Sequence, residues 1–182
     1  MNKKPIATLL LIYGILILWA IVFKFNIDSF LRIEINQTKD LTERLLRDII
    51  PFSKTVRDML KGDWIEFAIF FLNFVLLVPL GLLLSFYMSP KNAVVTAFAC
   101  SVAIEVYQLF SCMGGLDTTD VIINTLGSGA GVWLYRRLRP KIQDHTMEKL
   151  LWTLNLALAP LAAYALISTV LAFPRYVEYW IK

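Results

Sequence analysis

Residues Ser101–Gly131 read SVAIEVYQLFSCMGGLDTTDVIINTLGSGAG. Most of this stretch is apolar enough to lie in a bilayer, yet it carries a glutamate, a glutamine, two aspartates and an asparagine. Lipid penalises such groups by roughly several kcal/mol each, so a membrane segment that keeps them turns them inward, onto one another or onto a ligand. The spacing fits helices. Ser101, Glu105, Gln108 and Cys112 fall on one narrow stripe, and after a Gly-Gly break Asp117, Asp120, Asn124 and Ser128 fall on another. Two polar stripes on consecutive helices joined by a tight turn predict a shared site.

The rest of the chain agrees with a membrane setting. Of 182 residues, 58% are hydrophobic and only 18% charged, against about 45–50% and 25% in a soluble domain. The mean hydropathy is +0.63. The apolar runs are continuous over roughly 20 residues, as transmembrane helices require, whereas barrel strands alternate over about 10. The fold class expected is therefore all-α: a polytopic membrane protein with five transmembrane helices and amphipathic interfacial helices between the first and second. The net charge of +4 suits anionic lipid. Nucleic acid is excluded as a partner because the basic residues are scattered between hydrophobic spans. Cys100 and Cys112 sit in one predicted helix, about 18 Å apart, too far to bridge. No metal-type cysteine spacing occurs, so neither a metal nor a cofactor is expected. The single His145 falls in a charged loop and reads as a solvated surface residue.

Taken in order, Pro5–Phe23 is a first transmembrane helix that no small-residue cleavage site follows. Residues 24–64 form an extracytoplasmic amphipathic loop. Within it Leu31, Ile33 and Ile35 alternate like a short strand, and Asp40 to Glu43 has the form of a helix start. Leu41, Leu45, Leu46 and Ile49 make an apolar face; beyond Pro51, Phe52, Val56, Met59 and Leu60 make a second. The second membrane helix covers Ile65–Tyr87, with Asn73 near its middle and Pro79 loosening its hydrogen bonding. The third covers Asn92–Cys112. The fourth covers Thr118–Leu134, where Gly127 and Gly131 permit close approach of a neighbouring helix of the same chain. An oligomer is possible on that face but is not predicted. A fifth helix spans Leu150–Phe173, and Tyr176, Tyr179 and Trp180 close the chain at headgroup level. No repeat or separate soluble domain interrupts what reads as a single membrane domain over 1–182.

The combination Glu105-x-x-Gln108, a Gly-rich turn, Asp117-x-x-Asp120 and Asn124-x-x-Gly127 resembles the signature of the VanZ-like family. Upstream, Ile50-Pro51-Phe52 and Asn73 followed by Pro79-Leu80-Gly81 are similar to earlier motifs of that family, in the same order. The resemblance covers a core of roughly residues 45–137. It implies a bacterial cytoplasmic-membrane protein associated with lowered sensitivity to teicoplanin-type glycopeptides, with no agreed biochemical activity.

The basic cluster Arg136, Arg137, Arg139 and Lys141 marks the cytoplasmic side, and with Lys3 and Lys4 it places the N-terminus inside and the C-terminus outside. The many lysines and arginines of the 24–64 loop oppose that assignment, and its acidic residues nearly balance them. Asn73, Glu105 and Asn124 then lie roughly 9–13 Å below the outer surface. With Gln108, Asp117 and Asp120 they form the candidate ligand-binding set, an outward-facing polar pocket. Each has a structural alternative. Glu105 could be a hydrogen-bond clamp between helices, and Asp117 with Asp120 could simply cap the fourth helix. Three functions fit. The first is binding or shielding of a membrane lipid or lipid-linked envelope precursor, the reading favoured by the resemblance. The second is an intramembrane enzyme acting on a lipid headgroup, with Glu105 or Asp120 as base or cation ligand. The third is a small transporter or flippase.

Overall fold

In a computed structural model, residues 2–22, 42, 45, 49–62, 64–110 and 116–181 are described. The alternating segment at Leu31–Ile35, the start at Asp40, the face made by Leu41 and Leu46, Cys112 and the Gly-Gly turn lie outside them, as do the side chains of Tyr176, Tyr179 and Trp180. Among the described residues the regular structure is entirely helical: α1 (Lys4–Ile17), running into a π-helical turn at Leu18–Val22, α2 (Ser53–Leu60), α3 (Ile65–Leu84), α4 (Pro90–Phe110), α5 (Thr118–Leu138), a 3₁₀ turn (Arg139–Lys141) and α6 (Asp144–Ile181).

The helix starts follow from local sequence. Pro90 opens α4 where its missing N–H costs nothing, and the Ser89 hydroxyl accepts a hydrogen bond from Asn92 N–H at 3.3 Å. Asp144 begins α6 with an acid in its first turn and pairs with Arg139 across the preceding bend. Helix α6 is longer than its apolar core suggests: it takes in the charged segment before Leu150 and the aromatic tail. Helical hydrogen bonding does not need apolar side chains once a cap has formed. Pro79 does not interrupt α3. It removes one N–H donor, and the surrounding turns continue.

Among the described residues, three helices have the length and apolarity to cross a membrane: Phe67–Leu84, Pro90–Phe110 and Asp144–Leu171. Lys4–Ala20 is apolar but shorter. Burial has the reversed pattern of a membrane protein. Large apolar side chains such as Phe71, Val95, Leu156 and Leu171 are exposed, whereas Asn73, Ser101, Glu105, Gln108, Thr119, Asn124, Ser128 and Asn155 are buried. Water would penalise that surface, and lipid does not. The chain is a membrane protein.

It divides into two compact units, Met1–Ile35 with Arg137–Lys182, and Asn36–Arg136. In the first, α1 packs on α6. Asn155 Nδ2 donates to the Pro5 carbonyl at 2.8 Å and to the Leu151 carbonyl at 2.9 Å. Further along, the Trp19 and Tyr164 rings meet edge to face at 6.0 Å. Since residue 5 meets 155 and residue 19 meets 164, α1 and α6 run parallel.

In the second unit, α3 and α5 are also parallel. Asn73 meets Asp120, Ser128 meets Leu77, and the Phe86 and Tyr135 rings contact at 4.7 Å. Their backbones touch along a glycine seam. A Cβ on Gly127 would collide with the Phe74 carbonyl, one on Gly81 with the Ser128 carbonyl, and one on Gly131 with the Val78 carbonyl and, at 2.8 Å, with Leu82 N. The small residues of Gly127–Gly131 therefore pack within the chain, as their pattern predicts. Helix α4 runs antiparallel to α5, with Glu105 beside Asp117 and Ser101 beside Asn124.

This seam makes a direct prediction. Gly131→Ala should destabilise the protein in detergent by about 1–3 kcal/mol, because backbone cannot yield as a side chain does. Gly129→Ala, whose Cβ meets nothing within 4 Å, should be neutral or slightly stabilising. Equal melting temperatures for the two variants would mean that α3 and α5 do not approach this closely.

Candidate functional site

The polar residues of α3, α4 and α5 converge where α5 begins. Asp117 is its N-cap: Oδ1 accepts from Thr119 N–H at 2.8 Å and more weakly from Asp120 N–H at 3.4 Å. The Asp117 backbone N–H donates to Glu105 Oε2 at 2.8 Å. Glu105 is 1% exposed, so its carboxyl reaches from the lipid-spanning α4 to the start of the next helix. Asp120, one turn into α5, accepts at Oδ1 from Asn73 Nδ2 of α3 at 3.0 Å. One turn deeper, Asn124 Nδ2 donates to Ser101 Oγ at 3.0 Å.

Five of the six residues singled out by sequence thus occupy one region in two tiers. Glu105, Asp117, Asp120 and Asn73 form the upper tier, and Asn124 with Ser101 the lower. Gln108 is buried one turn from Glu105 on α4. Asn73 is not level with Asn124, as helix depths alone suggest. Its short side chain reaches the nearest polar group that the α3–α5 approach presents, and that group is Asp120.

Asn124 is chemically the most exposed of the set to a ligand's demands, although it is 1% accessible. Its Oδ1 is buried and has no hydrogen-bond partner among the described residues. Turning the amide does not solve this. Ser101 Oγ can donate or accept, so either orientation satisfies one end and leaves the other bare. A bare amide end in a dry interior costs about 1–3 kcal/mol, and a hydroxyl or ammonium of a ligand could recover that. No group of three or more His, Cys, Asp or Glu side chains among the described residues could hold a metal ion.

Three contacts were not legible as parts of the site. Thr119 Oγ1 accepts from the Phe52 backbone N–H at 2.9 Å, and Thr118 Oγ1 donates to the Ile49 carbonyl at 2.9 Å. Together they pin Ile49–Phe52 across the start of α5. Phe52 meets this geometry in the left-handed region, at φ 62, a position that costs a non-glycine residue roughly 1 kcal/mol or more. Its ring lies 6.2 Å from Phe70 of α3. The available signal was the pair of hydroxyls directly after the capping aspartate, set against the Ile-Pro-Phe bend.

Asn73 and Asp120 should be energetically coupled. In a double-mutant cycle with Asn73→Leu and Asp120→Leu, the coupling energy should be about 0.6 kcal/mol or more, the size typical of interhelical hydrogen bonds in membranes. Additive losses in melting stability would sever the link.

A protein-family model described as VanZ/LLP1 matches residues 10–139. Protein VanZ of Enterococcus faecium is 30% identical over 140 residues, which cover 74% of this chain and 76% of that protein. No solved structure matches the chain.

Proposed function

The chain belongs to the VanZ/LLP1 family, and from that premise we propose that it lowers sensitivity to teicoplanin-type glycopeptides by binding a lipid-linked cell-envelope component at the start of α5. The observation that carries this reading is the buried Asn124 amide with one end unanswered, beneath the fully buried acid Glu105. Membrane helices keep such groups where they are used. A lipid-linked precursor supplies hydroxyls and amides at the required depth, and occupying it would hinder an external glycopeptide.

The depth depends on topology, for which we propose five crossings of the bacterial cytoplasmic membrane, with the N-terminus inside and α2 in the outer interface. The packing supports it in two ways. Helix α5 runs parallel to α3 along the length of an evident membrane span, with its polar residues turned inward, so its low apolarity is no bar to crossing. The parallel pairing of α1 with α6 also requires an odd number of crossings between them. Helices α3, α4 and α5 supply three, whereas α3 and α4 alone would make α6 antiparallel to α1. In a Cys100→Ala, Cys112→Ala background, Lys61→Cys should react with an impermeant thiol reagent in intact cells and Gln143→Cys should not. The reverse pattern overturns the orientation and the outward site together.

A second reading has specific support: the same hydrogen bonds tie α3, α4 and α5 together, so Glu105 could serve only as a clamp. The two readings separate at Glu105→Gln, which keeps the shape and an acceptor oxygen for Asp117 N–H but removes the charge. A ligand-binding carboxylate predicts normal membrane levels and melting temperature with teicoplanin protection lost. A clamp predicts protection retained, while Glu105→Leu, which strands the Asp117 N–H, lowers stability by about 1–3 kcal/mol. If the intact protein leaves teicoplanin sensitivity of the host unchanged, the resistance reading itself falls.

A further inference from the structure

The start of α6 carries a second surface with the chemistry of a binding site, outside the family-matched residues 10–139. His145, Glu148, Lys149, Trp152 and Thr153 line a shallow groove of about 540 Å³. Their spacing keeps them on one helix face. Asp144 is engaged by Arg139 just outside the groove, and the Thr153 hydroxyl donates to the Lys149 carbonyl. By contrast, Glu148 and Lys149 make no ion pair among the described residues. Among the described residues the groove therefore presents a free cation, a free anion and the half-exposed Trp152.

Its depth is constrained by length. Helix α6 is 38 residues long, about 57 Å against roughly 30 Å of hydrocarbon. Its apolar run begins at Leu150, so the charged turn before it keeps His145 to Lys149 out of the hydrocarbon and sets Trp152 near headgroup level. A solvated charged face would not need an indole beside two opposite charges that do not pair with each other; a zwitterionic headgroup would use all three.

We infer that this groove binds the headgroup of a phospholipid bearing a phosphate and a primary ammonium, of the phosphatidylethanolamine type. Lys149 meets the phosphate, with His145 as an additional donor. Glu148 accepts hydrogen bonds from the ammonium, and Trp152 offers its ring face to the same cation. A purely anionic headgroup would satisfy Lys149 but be repelled by Glu148. A quaternary choline lacks the N–H groups that Glu148 accepts. The inference is independent of the proposed role of the α5 site and needs only that α6 crosses a membrane.

The test uses the full chain in a non-ionic detergent. It is mixed with equimolar phosphatidylethanolamine, phosphatidylglycerol and phosphatidylcholine of identical acyl chains, and the lipid adducts are compared by native mass spectrometry. Phosphatidylethanolamine adducts should exceed each of the others by about five-fold, the factor corresponding to roughly 1 kcal/mol. Glu148→Gln should abolish the preference and Glu148→Asp should keep it. Lys149→Gln should lower adducts of all three lipids, and Lys91→Gln, an exposed cation at the start of α4, should lower none. No excess of phosphatidylethanolamine on the wild-type chain, or an excess that survives Glu148→Gln, overturns the assignment.

Discussion

Close contact between the backbones of α3 and α5 is the constraint on which the rest of this half of the molecule depends. Gly81, Gly127 and Gly131 leave no room for a Cβ, and the short side chain of Ser128 reaches the Leu77 carbonyl across the same seam at 3.3 Å. In lipid, apolar side chains gain little by leaving their surroundings for one another, so helix association relies on packing and on polar contacts that close approach permits. Asn73 has only one carbon between its backbone and its amide. It can answer Asp120 because the seam brings the two helices together, and a pair of leucines in place of the glycines would put that contact out of reach.

From the seam the polar network extends to α4. Asp117 belongs to both parts: its side chain closes the first turn of α5, and its backbone N–H is held by Glu105. One residue thus joins the local requirement of a helix end to the long-range requirement that a buried carboxyl be answered. The two threonines that follow carry the connection on to Ile49 and Phe52. These positions are joined by hydrogen bonds, which are directional, so a change at one bears on the geometry of the next.

The sequence revealed part of this and concealed part for physical reasons. The stripes holding Glu105, Asp120 and Asn124 were legible because helical periodicity places them on one face whatever their partners are. The role of Gly131 was legible because a small-residue pattern has few uses in a membrane helix. Helix α5 was legible for the same reason, although its inward polar groups lower its average hydropathy and composition alone undervalues it. The pairing of Asn73 with Asp120 depends on the relative rotation and height of two helices, which neither helix encodes alone. Thr118 and Thr119 were overlooked because a hydroxyl announces no charge, periodicity or conformational demand. The length of α6 was underestimated for a related reason, since an apolar window measures what faces lipid and not where helical hydrogen bonding stops.

The contact between Asn155 and Pro5 bears on the order in which the chain assembles. It joins residues separated by 150 positions, so α1 leaves the ribosome long before its partner α6 is made. At a synthesis rate of about 5–20 residues per second, α1 waits about 8–30 seconds. The unit spanning Asn36–Arg136 has its own helices made a few seconds before that moment. Biogenesis is therefore sequential: the central helices can close on one another during translation, while α1 must be held at the translocon or in lipid with its Asn155 partner still unmade. Truncation between α5 and α6 would leave a chain whose 36–136 unit has all its helices and whose α1 lacks the partner it packs on, a natural substrate for membrane quality control.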